Sequence, residues 1–118
     1  MSHDQDRRRS TRVRIAAVAS LEAVGARNAN NQGLSVVKNV SRTGIGLETG
    51  QPPLKGQTVI LRLALDQTTH ELRTRATRVT RRGTSNFYDV GLDWSGCTPE
   101  QLSFLDEILR LVEQFPLV

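Results

Sequence analysis

From Val13 to Trp94 the chain alternates apolar and polar positions with period two, and the alternation predicts six short strands. In the first, Val13, Ile15, Ala17, Ala19 and Leu21 point one way, and Arg12, Arg14, Ser20 and Glu22 the other. A loop from Gly25 to Gly33 separates it from a second strand at about Leu34 to Val40. A turn at Ser41-Arg42-Thr43-Gly44 leads to a short third strand, Ile45 to Glu48. Gly50, Pro52, Pro53 and Gly56 break the pattern. Val59, Leu61, Leu63 and Leu65 then mark a fourth strand. The fifth runs from Thr69 to Arg81, with Leu72, Thr74 and Ala76 on one side. Arg82-Gly83-Thr84-Ser85 reads as a hairpin turn. Tyr88, Val90, Leu92 and Trp94 form the sixth strand, with Asp89 and Asp93 outward.

After Cys97 the period changes to that of a helix, about 98–115. Thr98 is placed to cap it, Pro99 suits the first helical position, and Gln101 completes a capping box. Leu102, Leu105, Leu109 and Val112 make one apolar stripe, and Phe104, Ile108, Leu111 and Phe115 an adjacent one. So wide a face either lies deep against the sheet or leaves one flank for a partner.

Six strands and one helix predict a mainly β fold: a small six-stranded antiparallel barrel (13–118) with a C-terminal α-helix, preceded by a flexible Arg-rich segment (1–12). A barrel this small fills its interior with side chains, so a ligand belongs on the outside or at the rim.

A length of 118 residues fits one domain. No apolar run spans a bilayer and the first residues lack the apolar stretch of a signal peptide, so membrane insertion is not expected and a cytoplasmic location is. One cysteine, Cys97, and two histidines, His3 and His70, give no internal disulfide and argue against a metal centre.

The net charge is +4, and its distribution says more. Residues 1–83 carry fifteen bases and six acids, residues 84–118 one base and six acids. Fourteen of the sixteen bases are arginine, and ten of these fall at Arg7, Arg8, Arg9, Arg12 and Arg14 and at Arg73, Arg75, Arg78, Arg81 and Arg82. Clustered arginine suits an anionic partner, because the planar guanidinium forks onto phosphate or a guanine edge and stacks on bases. A GC-rich coding sequence would account for the Arg-to-Lys ratio but not for the clustering.

No catalytic set stands out. Cys97 precedes a helix cap, but a lone cysteine there is more often a packed residue. His70 has no nucleophile placed beside it, and Gly44-Ile45-Gly46 runs into a strand rather than a helix, which removes the phosphate-binding logic of a dinucleotide turn. An enzyme is therefore not expected, nor any cofactor.

The strongest constellation joins two places. Arg7-Arg8-Arg9-Ser10-Thr11-Arg12 holds an Arg-Arg-x-x-x-Arg before the first strand, and Asn39-Val40-Ser41-Arg42-Thr43-Gly44 an Asn-x-Ser-x-x-Gly at the turn between strands two and three. Alone, the first is a solvated basic tail and the second an ordinary Asx-type turn. Together they offer cationic forks, an amide and a hydroxyl on a rigid strand end, and a glycine for close approach. A purine nucleotide would use every part.

This pair resembles the signature of PilZ domains, bacterial receptors for cyclic di-GMP. Gly44-Ile45-Gly46-Leu47, Gly56-Gln57-Thr58-Val59 and Val90-Gly91-Leu92-Asp93-Trp94 resemble later parts of the same family. The resemblance implies that Arg8 and Arg12 grip guanine edges and phosphates from a segment that orders on binding. It implies that Asn39 and Ser41 bond the guanine and that Gly44 holds the turn. Arg7 is similar to family members that take the ligand as a stacked pair, which implies two molecules per chain. Arg9 would add charge, and Arg81 would reach the phosphates from the end of strand five. With no output domain attached, the chain, a monomer or weak dimer, would signal to a downstream protein not identified by its sequence.

Two other readings stand beside this one. A small β-barrel binding RNA or single-stranded DNA fits the arginines, but one Trp, one Tyr and three Phe, none beside the Arg stretches, supply few stacking platforms. A PilZ-shaped interaction module without nucleotide binding would use the helix instead, but the intact Arg and Asn-Ser-Gly sets argue against it.

Overall fold

The computed structural model describes residues 13–25, 32–65 and 67–114. Six strands appear where the alternation places them: β1 (Val13–Ala23), β2 (Gln32–Val40), β3 (Gly44–Thr49), β4 (Thr58–Leu65), β5 (Thr68–Arg81) and β6 (Tyr88–Asp93). Each pairs antiparallel with its neighbours, in the order β1-β2-β3-β6-β5-β4, and β4 returns to β1 to close a barrel. Closure leaves no free strand edge among these six.

Most described inward positions are apolar, although Val18, Leu34 and Val36 face outward on β1 and β2. Val37, Val40, Val59, Leu61, Leu63, Leu72 and Val90 are fully buried, and Leu21, Ile45, Leu47 and Leu92 nearly so. Each such side chain contributes roughly 1.5–3 kcal/mol on leaving water. Three hydroxyls share the interior, each satisfied by a strand carbonyl: Ser35 Oγ donates to Ala19 O (3.1 Å), Thr49 Oγ1 to Leu34 O (3.3 Å) and Thr74 Oγ1 to Val59 O (2.8 Å).

Helix α1 (Pro99–Gln114) packs against β1 and β5. Its start is the capping box read from the sequence: Gln101 N–H donates to Thr98 Oγ1 (3.1 Å) and Thr98 N–H to Gln101 Oε1 (3.2 Å). Leu105, Ile108 and Leu109 join the core, whereas Leu102 and Phe104 stay exposed, so the buried face is narrower than the two stripes suggest. The Phe104 ring tilts against buried His70, centroids 5.9 Å apart. Trp94, expected within the sixth strand, lies one residue beyond it and is still buried.

Candidate functional site

Four strands and two irregularities build the site on the outer barrel wall. One row of paired residues crosses the sheet: Asn39 on β2 faces Gly46 on β3, Gly46 faces Gly91 on β6, and Gly91 faces Arg78 on β5. The two middle positions carry no side chain, so the row is a trough with a bare backbone floor. Its walls lean inward. A Cβ on Gly46 would lie 2.9 Å from Asn39 Oδ1, and a Cβ on Gly91 would lie 3.7 Å from Arg78 Cζ. The carboxamide and the guanidinium therefore reach over the floor from opposite sides.

Bulges aim both walls. The β2–β3 register shifts between Val37 and Asn39, and the β5–β6 register between Ala76 and Arg78. An extra residue at a bulge turns the side chain after it to a new direction.

At one end the trough meets the Ser41–Gly44 turn, giving a depression of about 140 Å³ lined by Asn39, Ser41, Thr43, Gly44, Arg78 and Asp93, among others. At the other it continues into a hollow of about 370 Å³ lined by Lys38, Asn39, Gly46, Arg78, Thr80 and Asp89. The larger hollow is within the size range of small-molecule sites. The turn is locked from several sides. Ser41 N–H donates to Gly44 O (2.8 Å), Thr43 N–H donates to Ser41 Oγ (3.2 Å), and the Ser41 and Thr43 hydroxyls share a bond of 2.9 Å. From behind, the Trp94 indole Nε1–H donates to Ser41 O (2.9 Å). Gly44 is required here, since a Cβ would run into the backbone carbonyl of Leu92.

The charges around the trough are unequally engaged. Lys38 pairs with Glu48 at 3.1 Å, and Arg82 pairs with Glu48 (2.8 Å) and Asp89 (3.6 Å). Asp93 Oδ1 accepts the N–H (3.0 Å) and hydroxyl (2.6 Å) of Ser95. Arg75, opposite Asp93 in the β5–β6 register, and Arg78 form no ion pair among the described residues. The anions are thus already bonded, while the cations of the far wall are available to an anionic ligand.

Of the residues expected at a site, the structure brings together Asn39, Ser41 and Gly44. Arg7, Arg8, Arg9 and Arg12 lie outside the described residues. Arg81 stands apart: its Nε donates to Ser85 O (2.8 Å) and its Nη2 to Thr84 O (3.3 Å), which fixes it on its own hairpin, and it does not line the trough. Arg78, Gly46 and Gly91 were not singled out as site residues from sequence. A signal existed: the inward positions Leu72, Thr74 and Ala76 are followed by Val79, a step of three that marks the bulge before Arg78.

Burial pushes the Cys97 thiol up, and the negative charge of Asp93 adds to the shift, which disfavours a reactive thiolate. Among the described residues no group of His, Cys, Asp and Glu is placed to hold a metal ion. No helix among them is long and apolar enough to cross a membrane.

A family model described as the PilZ domain matches residues 6–114. Among solved structures, the chain is similar to the PilZ domain of CeSA from a cellulose-synthesizing bacterium. That match has 16% identity and a TM-score of 0.70, covering 88% of this chain and 99% of that one. It is similar to the PilZ domain of YcgR from Escherichia coli, described with c-di-GMP, at 13% identity and a TM-score of 0.67, covering 92% and 93%. It is also similar to the inhibitor of motility MotI/DgrA of Bacillus subtilis, at 14% identity and a TM-score of 0.65, covering 92% of this chain and 50% of that one. At these identities the likeness is one of fold. No curated protein matches the chain.

Proposed function

The chain belongs to the PilZ domain family, and from that premise we propose that it is a receptor for cyclic di-GMP, bound in the trough between Asn39 and Arg78. The observation that carries this reading is the row Asn39–Gly46–Gly91–Arg78: an amide and a guanidinium converging over a floor with no side chains. A flat base lies against such a floor, and its polar edge meets donors at both walls.

In this reading Asn39 and Ser41 bond the guanine and its neighbouring groups, while Gly44 and the Trp94 bond keep the turn rigid. Arg78, across the trough, takes a phosphate or a guanine edge. Arg8 and Arg12 close over the ligand from the N-terminal side, with Arg7 supporting a second, stacked molecule and Arg9 adding charge. Ordering such a segment costs about 1–2 kcal/mol per residue fixed. Charge-assisted arginine bonds, each worth roughly 1.5–3 kcal/mol, offset that cost and make closure depend on ligand. The closed segment would present a new surface to a downstream protein. The product of the site is a bound complex, and no chemical step is assigned to it.

Isothermal titration with cyclic di-GMP, with GTP and a short RNA as controls, tests the proposal. Binding of cyclic di-GMP alone, at two molecules per chain and lost in Arg8→Ala and Arg12→Ala, is the expected result. Binding of RNA in preference to the cyclic dinucleotide would overturn it, and a ratio of one would overturn the role given to Arg7.

A further inference from the structure

Arg42 sits inside the ligand turn, between Ser41 and Thr43, which both line the depression. Its side chain leaves the turn, and Nη1 meets Asp106 Oδ1 of α1 at 2.6 Å. The pair spans 64 residues of sequence and is exposed, the two side chains retaining 68% and 57% of their accessible surface. The backbone of the turn does not need this contact, because Trp94, the Ser41–Gly44 bond and the Ser41–Thr43 hydroxyl pair already determine it. The ion pair is therefore not needed to shape the turn; it places a cation beside the turn that lines the depression and joins that turn to α1.

We infer that Arg42 is a shared cation, held by Asp106 when the site is empty and transferred to the ligand's phosphate when it is filled, so that binding loosens α1. The inference rests on the receptor reading above. An exposed ion pair is weak and is readily exchanged for a dianionic partner on the same flexible side chain. Among the described residues, the helix is still held by Leu105, Ile108 and Leu109 in the core, by the Phe104 ring against His70 and by the capping box at its start. Gln101 Oε1 also accepts the Arg73 N–H (3.3 Å). Loss of the Arg42 contact thus slackens the helix without detaching it. Coupling between sites is reciprocal: if ligand weakens the Arg42–Asp106 pair, removing Asp106 strengthens ligand binding by the same factor.

The test is a cycle of four proteins titrated with cyclic di-GMP: parent, Asp106→Asn, Arg42→Gln and the double variant. Glu107→Gln serves as a control for the same change of charge one residue along the exposed side of the helix. Asp106→Asn is expected to tighten binding about two- to five-fold. Arg42→Gln is expected to weaken it, and adding Asp106→Asn to Arg42→Gln to change nothing further. Amide hydrogen exchange in α1 is expected to quicken on addition of ligand in the parent and to be insensitive to it in Arg42→Gln. Unchanged or weaker binding by Asp106→Asn overturns the inference, as does an equal effect with and without Arg42 or an equal effect from Glu107→Gln. A parent that binds no cyclic di-GMP overturns the receptor reading itself, an outcome distinct from any difference among the variants.

Discussion

The indole of Trp94 reaches the carbonyl oxygen of Ser41 in a buried hydrogen bond of 2.9 Å, joining the end of β6 to the turn that carries the site. Trp94→Phe keeps most of the apolar contact and removes the donor, leaving a buried carbonyl unsatisfied. We expect a loss of about 1–3 kcal/mol in urea unfolding, together with weaker binding of cyclic di-GMP. Unchanged stability would show that Ser41 O finds another donor.

The glycines of the site separate fold from function. At Gly91 a Cβ would make ordinary contacts, 3.5 Å from Arg78 Cβ and Thr77 Oγ1, but it would raise the trough floor. Gly91→Ala is expected to fold with near-parent stability and to lose affinity. At Gly44 a Cβ meets the fixed backbone of Leu92, so Gly44→Ala is expected to cost about 1–3 kcal/mol of stability as well. Thermal melts paired with titration check both, and equal affinity of Gly91→Ala and parent would take the ligand out of the trough.

Glu48 accepts hydrogen bonds from Lys38 and Arg82, and the Lys38 bond is the largest influence pulling its carboxyl below the ordinary value of 4.5, against an opposing effect of burial. A carboxyl lowered by folding adds stability that is complete above its unfolded value and is lost as pH falls through its folded one. The stability gap between parent and Glu48→Gln should therefore be widest near neutral pH and close as the pH falls below the ordinary glutamate range. Urea unfolding across that range measures it, and a gap constant with pH would contradict the assignment.

Gln67, in the connection between β4 and β5, holds φ at 65°, a left-handed conformation that disfavours a side chain. Gln67→Gly produces an Asp-Gly pair suited to a tight hairpin. The expected gain is about 0.5–1 kcal/mol, after allowing for the greater freedom of glycine in the unfolded chain, or about 2–4 °C in melting temperature. A lower melting temperature would contradict the reading of strain.

Strand positions were legible because period-two alternation runs through most of the strands, although β2 turns Leu34 and Val36 outward and Ser35 inward, and Thr98, Pro99 and Gln101 together mark the helix start. Asn39, Ser41 and Gly44 were legible because their offsets fall on one turn. Arg78 was hidden among five arginines of similar spacing, since what distinguishes it is a bulge that shifts the β5 register and a partner strand that offers glycine opposite. Arg81, three residues on, looked equivalent in sequence, yet the hairpin carbonyls of Thr84 and Ser85 capture it. The Arg42–Asp106 pair was invisible for another reason: nothing local links a turn residue to a helix 64 positions away.

The most direct test of the trough as the ligand site is a backbone amide chemical-shift map of the protein titrated with cyclic di-GMP. The account predicts that the largest shifts fall on Asn39 to Gly46, on Thr77 and Arg78, and on Gly91 to Asp93. Shifts concentrated on the β1–β4 wall, or none at saturating ligand, would contradict it.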